Sequence, residues 1–208
     1  MSEVESLAIQ AQPGFRSICV YCSSSSAVAP VYFAAARELG TELARRGLTL
    51  VYGGARVGLM GAVATAVKAS GGRVVGVIPE MLMMQELVYE ENDELIITRD
   101  MRDRKATMME RSDAFLVLPG GFGTLEEFFE TFTLRQLHRH SKPIIFLNTQ
   151  GYYAPLLALF EHLYREQFAK PCRELYYVAS DVTDAFSHLD SYVPIEPPDK
   201  WFQSEGGK

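Results

Sequence analysis

The chain has few cysteines and no recognisable metal motif. Only three of its 208 residues are cysteines, at positions 19, 22 and 172, so a disulfide framework is excluded and a reducing cytoplasm is favoured. Cys19 and Cys22 form a CxxC pair inside the apolar run ICVYC, where residues three apart on a strand face opposite sides. We therefore expect two buried thiols. Without HExxH or a three-histidine pattern, we expect no catalytic metal.

The sequence also lacks an excess of basic residues and a long uninterrupted apolar segment. Twenty Lys and Arg residues stand against 26 Asp and Glu residues, which argues against a nucleic-acid partner. The longest uncharged stretch, residues 17–36, contains four consecutive serines and Pro30, so no transmembrane helix and no membrane partner are expected. The first residues include two glutamates and no basic segment of a secretory signal. We expect a flexible tail over residues 1–16 and a cytoplasmic protein.

Short β-rich segments alternate with longer helical patterns between residues 17 and 189. This alternation predicts the α/β class, an open parallel sheet with helices on both faces. The strand predictions are SICVYC (17–22), LTLVYGG (48–54), RVVGVIP (73–79), AFLVLPGG (114–121) and PIIFLN (143–148). Residues 81–98 lack a clean period and predict a loop at the rim of the site with a short strand at ELIIT. We predict one domain over 17–189 and an irregular, proline-rich tail over 190–208.

Three unusual turns follow predicted strands, at the sheet edge where ligands bind in such folds. They are CSSSS (22–26), YGGARVGLMG (52–61) and LPGGFGTLEE (118–127). The second turn has Gly53 and Gly58 at P-loop spacing, but Leu59 replaces the phosphate-binding lysine, which argues against ATP hydrolysis. In the third, Glu126 occupies the last glycine position of a dinucleotide fingerprint, which argues against an NAD site.

The third turn still predicts a site for a phosphate-sized anion. Glycines let backbone N–H groups approach the anion, and a helix beginning near Thr124 adds its positive end. The alternative is a tight structural turn. Glu127 is either a catalytic carboxylate or the second half of a Thr124-x-x-Glu127 capping box. Arg104 is either a guanidinium fork for phosphate or sugar oxygens, or half of a surface ion pair with Asp100.

Four segments together resemble the Lonely Guy family of cytokinin-activating phosphoribohydrolases. PGGFGTLEE (119–127) fits PGGxGTxxE at every fixed position, and MRDRKATMMERSDAFLVLPGG (101–121) leads into it as in that family. YGGARVGLMG and GVIP match further family segments, whereas Ser23 and Arg102 depart from the frequent glycine and histidine. The resemblance implies a Rossmann-like homodimer without a cofactor. It would hydrolyse the N-glycosidic bond of N6-substituted adenosine 5′-monophosphates to free base and ribose 5-phosphate.

Site residues follow from the resemblance, position by position. Arg104 and Glu127 would be the catalytic pair. The predicted substrate-binding residues are Gly120, Gly121, Gly123, Thr124, Lys105, Ser24, Gly54 and Met101. The alternative function is a nucleotide or molybdenum-cofactor carrier of similar fold, which would hold its ligand without turnover. Nothing among the six lysines indicates a pyridoxal-binding residue.

The segment TLEEFFETFTLRQL predicts part of the homodimer interface. The apolar surface of its side chains is larger than one sheet face can cover. These side chains are Leu125, Phe128, Phe129, Phe132 and Leu134. The alternative is a helix that is buried on both sides within the monomer.

Overall fold

Seven parallel strands form one sheet with β1 near its centre, in the order β4-β3-β2-β1-β5-β6-β7. The computed structural model describes residues 14–83, 88–197 and 200. The strands are β1 Ser17–Tyr21, β2 Thr49–Tyr52, β3 Val74–Pro79, β4 Glu94–Thr98, β5 Ala114–Val117, β6 Ile144–Leu147 and β7 Tyr177–Ala179. The predicted α/β class with a parallel sheet is confirmed.

Helices cover both faces of this sheet. They are α1 Pro30–Arg45, α2 Gly58–Ala69, α3 Glu80–Met83, α4 Met101–Glu110, α5 Phe122–Gln136, α6 Ala154–Arg165 and α7 Val182–Asp190. One core cluster joins β1 residues such as Val20 to α1, α2 and α7, and a second joins Tyr21 to α4, α5 and α6. Cys19 belongs to the second cluster and Cys22 to the first, so the two free thiols lie on opposite sides of the sheet, as predicted.

The five predicted strand segments and the ELIIT strand are all present, but β7 and α3 were missed. β7 has only three residues, Tyr177–Ala179, and pairs along the edge of β6. α3 is a single turn, Glu80–Met83, in a segment without a clean period. Such short elements form through contacts with residues distant in sequence, and local periodicity carries little signal for them.

α5 and α6 both end at non-glycine residues with left-handed backbone. α5 stops at Gln136, where His138 has φ of 57° and the Arg139 N–H donates to the Leu134 carbonyl over 2.9 Å. α6 ends similarly, with Gln167 at φ of 61° and the Phe168 N–H bonded to Leu163 O. A glycine normally marks such an end, and none stands at either position.

The predicted tails fall largely outside the described residues. Of the N-terminal tail, residues 1–13 are outside them, as are residues 198–199 and 201–208 of the C-terminal tail and residues 84–87 of the predicted rim. Residues 192–197 are described and have no regular secondary structure. The division into a domain and two tails stays a prediction. In the part of the chain that the structure describes, no helix is long and apolar enough to cross a membrane.

Candidate active site

The turns after β1, β2 and β5 interlock at the carboxyl edge of the sheet. The Ser23 N–H donates to the Pro119 carbonyl over 3.3 Å, and the Leu59 N–H donates to the Ser23 carbonyl over 2.9 Å. Gly58, at φ of 57°, lies so close that a Cβ there would be 2.4 Å from the Ser24 carbonyl carbon. Only glycine permits this approach and this backbone angle. The three turns therefore form one surface, as their positions after neighbouring strands predicted.

A pocket of about 390 Å³ opens on this surface. This volume is in the range of small-molecule sites. Its lining comprises Val20, Cys22, Ser23, Ser24, Ser25, Gly53, Met60, Leu82, Arg104, Met108, Gly121, Phe122, Gly123, Thr124 and Glu127. Two oppositely charged residues of this lining, Arg104 and Glu127, pair with each other, and both are at least nine-tenths buried.

Arg104 and Glu127 form an ion pair inside the pocket. Arg104 Nη1 donates to Glu127 Oε1 over 3.1 Å, and Arg104 Nε donates to the Val77 carbonyl over 3.0 Å. Gly53 makes room for this arrangement, because a Cβ there would stand 2.2 Å from Arg104 Nη2. The alternative prediction, a surface ion pair between Arg104 and Asp100, is wrong. Asp100 instead caps α4 by accepting a hydrogen bond from the Asp103 N–H.

Burial raises the pKa of Glu127 to about 7, and the neighbouring Glu126 carboxylate adds to the rise. The Arg104 guanidinium and the Lys105 ammonium lower the pKa of Glu127 but do not offset the loss of solvent. A carboxyl group that titrates near neutrality in a pocket can exchange protons with a bound molecule or water. This electrostatic state marks Glu127 as the group best suited to acid–base chemistry in the site.

The capping-box interpretation of Glu127 is wrong. α5 begins at Phe122 with Gly121 as its N-cap, so Thr124 lies within the first turn and Glu127 is directed to Arg104. Gly121 has no side chain to cap with, and in the described part of the chain no other side chain caps this turn. The first residues of α5 line the pocket beside the Arg104–Glu127 ion pair, so the positive end of the helix lies at the pocket.

The glycines of this turn differ in their surroundings. A Cβ at Gly120 would lie 2.1 Å from Thr124 Oγ1, so this glycine permits the turn to fold tightly on itself. At Gly121 and Gly123 a Cβ would meet nothing within 4 Å, and both glycines line the pocket. The open side of these two residues leaves room for a ligand to approach the backbone.

Of the predicted site residues, Arg104, Glu127, Gly121, Gly123, Thr124 and Ser24 come together in the pocket lining. Gly120, Gly54, Lys105 and Met101 lie outside that lining. Gly120 accepts a hydrogen bond from the Tyr152 hydroxyl, and Gly54 packs against β3. Lys105 forms ion pairs with Glu126 and Glu130. The substrate-binding roles of these residues stay predictions.

Several lining residues were not among the site residues predicted from the sequence. Ser23 and Gly53 stand in the glycine and serine turns already noted, so the rule that ligands bind at strand ends could have found them. Met60 belongs to the small apolar helix α2, and Leu82 to α3, where the sequence has no clean period. Among the described residues, no cluster of His, Cys, Asp and Glu could hold a metal ion.

A family model and individual relatives both identify the family of this chain. The family model described as "Possible lysine decarboxylase" matches residues 60–189. The rice protein "Probable cytokinin riboside 5'-monophosphate phosphoribohydrolase LOGL5" is 45% identical over 185 residues, which cover 88% of this chain and 74% of that protein. "Cytokinin riboside 5'-monophosphate phosphoribohydrolase LOG1" from Arabidopsis thaliana is 45% identical over 181 residues, or 86% and 85% of the two chains.

Solved structures agree on the fold. The molybdenum cofactor binding protein from Rippkaea orientalis has a TM-score of 0.64 at 21% identity, covering 85% of this chain and 96% of that one. At such low identity this likeness concerns the fold alone, whereas the sequence matches above extend over most of both chains. The chain therefore belongs to the Lonely Guy family of cytokinin riboside 5′-monophosphate phosphoribohydrolases.

Proposed function

We propose that this chain hydrolyses the N-glycosidic bond of adenosine 5′-monophosphates, N6-substituted ones included, to free base and ribose 5-phosphate. The observation that carries the proposal is the buried Arg104–Glu127 pair beside the uncapped first turn of α5. A carboxylate and an anion site in one pocket match the two ends of a ribose 5-phosphate group. The names of the family members, 43–46% identical to this chain, support the same substrate class.

The reaction needs water and no cofactor. As the bond from C1′ to the base nitrogen breaks, its electron pair leaves with the base and positive charge builds at C1′. The Glu127 carboxylate stabilises that charge and accepts a proton from the attacking water, whose oxygen forms the new bond to C1′. The base nitrogen takes up a proton from solvent, and Glu127 returns the proton that it accepted to solvent. Arg104 holds Glu127 in place and offers its remaining N–H groups to sugar or phosphate oxygens.

Two other functions fit the site less well. A pyridoxal-dependent decarboxylase needs a lysine for its Schiff base, and the described lining of the pocket contains none. A molybdenum-cofactor carrier shares the fold, but a carrier has no need of a buried carboxylate whose pKa lies near neutrality. Repeated release of free base from excess nucleotide separates hydrolysis from carriage, since a carrier would retain about one ligand per chain.

We also propose that the protein acts as a homodimer in the cytoplasm, without a membrane or nucleic-acid partner. Three free thiols and an excess of acidic residues support this environment. Phe128, Phe129 and Phe132 of α5 all contact Phe160 of α6 within the chain. Of the three, Phe129 stays 39% exposed and could contact a second copy.

For the dimer, light scattering at micromolar concentration should give twice the 23.2 kDa chain mass, and Phe129→Glu should reduce it to one chain. A charge placed in an apolar interface opposes association because it loses its hydration there. Phe168→Glu is the matched control, because Phe168 is 83% exposed and lies outside α5. A wild-type particle of one chain mass would refute the dimer.

Replacing Glu127 with Gln should reduce kcat by about 10²- to 10⁴-fold, because the amide cannot accept the proton of water. In the wild type, kcat should rise with pH and reach half of its plateau near pH 7, since half of Glu127 is protonated at its pKa of about 7. Saturating substrate is used, because the substrate phosphate itself titrates near pH 6. The variant should lose this pH dependence and keep its circular dichroism spectrum. A folded variant with unimpaired turnover would remove Glu127 from the mechanism.

Adenosine 5′-monophosphate should be hydrolysed roughly ten- to 150-fold faster than adenosine for each charge-assisted contact to phosphate. The N–H groups of the first turn of α5 provide such contacts. Di- and triphosphates should react slowly, because no lysine in the described lining can neutralise the added charge. Rates are compared at equal, subsaturating concentration for the nucleoside and its three phosphates. Equal rates for nucleoside and monophosphate would refute the anion site.

A further inference from the structure

Three consecutive carbonyl groups of the turn after β5 accept hydrogen bonds from neighbouring turns. The Leu118 carbonyl accepts from the Tyr153 hydroxyl over 2.6 Å, and the Gly120 carbonyl accepts from the Tyr152 hydroxyl over 2.8 Å. Between them, the Pro119 carbonyl accepts from the turn after β1 over 3.3 Å. Two adjacent tyrosines thus hold both ends of this short carbonyl series.

The tyrosines belong to the turn after β6, which lies beside the turn after β5 because β5 and β6 pair. Gln150 and Gly151 have left-handed backbone, with φ of 56° and 69°, as in tight turns. Asn148 Oδ1 accepts from the Tyr153 N–H over 2.8 Å and fixes the backbone there. The rings of Tyr152 and Tyr153 are inclined at 85° to each other, and their hydroxyls reach different carbonyls.

The peptide unit between Gly120 and Gly121 can set the direction of an N–H group. In a planar trans peptide the carbonyl and the following N–H point in opposite directions, and no peptide bond among the described residues is cis. The Gly120 carbonyl is bonded to Tyr152, so the Gly121 N–H is directed away from that hydroxyl. The Leu118 carbonyl directs no donor, because Pro119 has no N–H.

Gly121 brings a free donor to the wall of the active-site pocket. It lines the pocket that contains Arg104 and Glu127, whereas Tyr152 does not. Within residues 14–83, 88–197 and 200, the N–H groups of Gly120 and Gly121 have no hydrogen-bond acceptor. Successive backbone N–H groups in a turn can together bind an anion.

This peptide unit has room to rotate unless it is held. It joins two glycines, and glycine has the least restricted backbone of all residues. Behind the turn lies a second cavity of about 210 Å³, whose lining includes Gly120, Gly121, Tyr32 and Tyr152. In the described part of the chain, the Tyr152 hydroxyl is the one donor to the Gly120 carbonyl.

We propose that Tyr152 is a positioning residue for the phosphate end of the substrate. Its hydroxyl holds the Gly120–Gly121 peptide unit so that the Gly121 N–H points into the pocket and donates to the phosphate group. The inference rests on the proposed function, because that function supplies the phosphate. Tyr152 acts through the turn and does not itself touch the substrate.

Inorganic phosphate is the probe, because it tests the anion site without turnover. The full chain is labelled with ¹⁵N-glycine, and the Gly121 amide signal is assigned by its absence in Gly121→Ala, where the added Cβ meets nothing within 4 Å. Phosphate should shift this signal saturably in the wild type. In Tyr152→Phe, which loses one oxygen atom, the Kd for phosphate should rise about tenfold, as expected for one charge-assisted contact.

Tyr32→Phe is the matched control. Tyr32 lines the same small cavity and its ring lies 5.8 Å from that of Tyr152, but its hydroxyl has no hydrogen bond within the described residues. This variant should keep the wild-type Kd. Tyr153→Phe should lower thermal stability, because it leaves the buried Leu118 carbonyl unpaired, and should also keep the Kd near that of the wild type. A merely structural role would weaken phosphate binding equally in the Tyr152 and Tyr153 variants.

Kinetics give the second readout. Tyr152→Phe should lower kcat/KM for adenosine 5′-monophosphate about tenfold and leave kcat/KM for adenosine, which has no phosphate, unchanged. Equal losses on both substrates would overturn the proposal, as would a wild-type Kd for phosphate in Tyr152→Phe.

A wild-type Gly121 signal that phosphate does not move would overturn the proposal without any variant, so the test holds even if Tyr152→Phe fails to fold. The proposed function can also fail separately. If the phosphate titrations give the expected result and no nucleotide is hydrolysed, the role of Tyr152 at the anion site stands and the hydrolysis does not.

Discussion

The buried ion pair between Arg104 and Glu127 is the interaction on which the rest of the site depends. Removing two charges from water is costly, and leaving one of them without its partner costs roughly 3–5 kcal/mol more. The fold meets this cost with the Val77 carbonyl, which accepts from Arg104 Nε, and with Gly53, whose missing side chain lets the guanidinium group lie where it does. β3, α4, α5 and the turn after β2 are thereby fixed relative to one another.

The turn after β5 forms the second half of the site. One of its glycines is crowded by a neighbouring side chain, and two have open space beside them. Gly120 is crowded by Thr124, so the chain reverses tightly enough for α5 to begin at Phe122. Gly121 and Gly123 line the pocket with open space beside them, so the first turn of α5 is not covered by side chains there. One short segment therefore sets both the proposed phosphate end of the site and, one turn further along the helix, the position of Glu127.

Much of this could be predicted from the sequence, because strands with continuous apolar residues and turns rich in glycine carry strong local signals. The parallel sheet and the three turns belong to this group, whereas Arg104 and Glu127 had structural alternatives and are predicted as a catalytic pair only by the family resemblance. The sequence carries no such signal for which side chains form ion pairs. Asp100 stands four residues before Arg104, a spacing that suggests an ion pair. In the structure Asp100 instead accepts a hydrogen bond from the Asp103 N–H at the start of α4. The ion-pair partners of Lys105 carry no local signal either, since only the packing of α4 on α5 reveals Glu126 and Glu130.

The central claim is that Arg104 and Glu127 act as one hydrolytic unit, and a double-mutant cycle on kcat/KM tests it most directly. Release of free base from N6-isopentenyladenosine 5′-monophosphate is measured for the wild type, Arg104→Lys, Glu127→Gln and the double variant. If the two residues act as a unit, Arg104→Lys is impaired because lysine lacks the planar fork, and the double variant is no slower than Glu127→Gln. Losses that simply multiply, or wild-type rates in either single variant, would contradict the account.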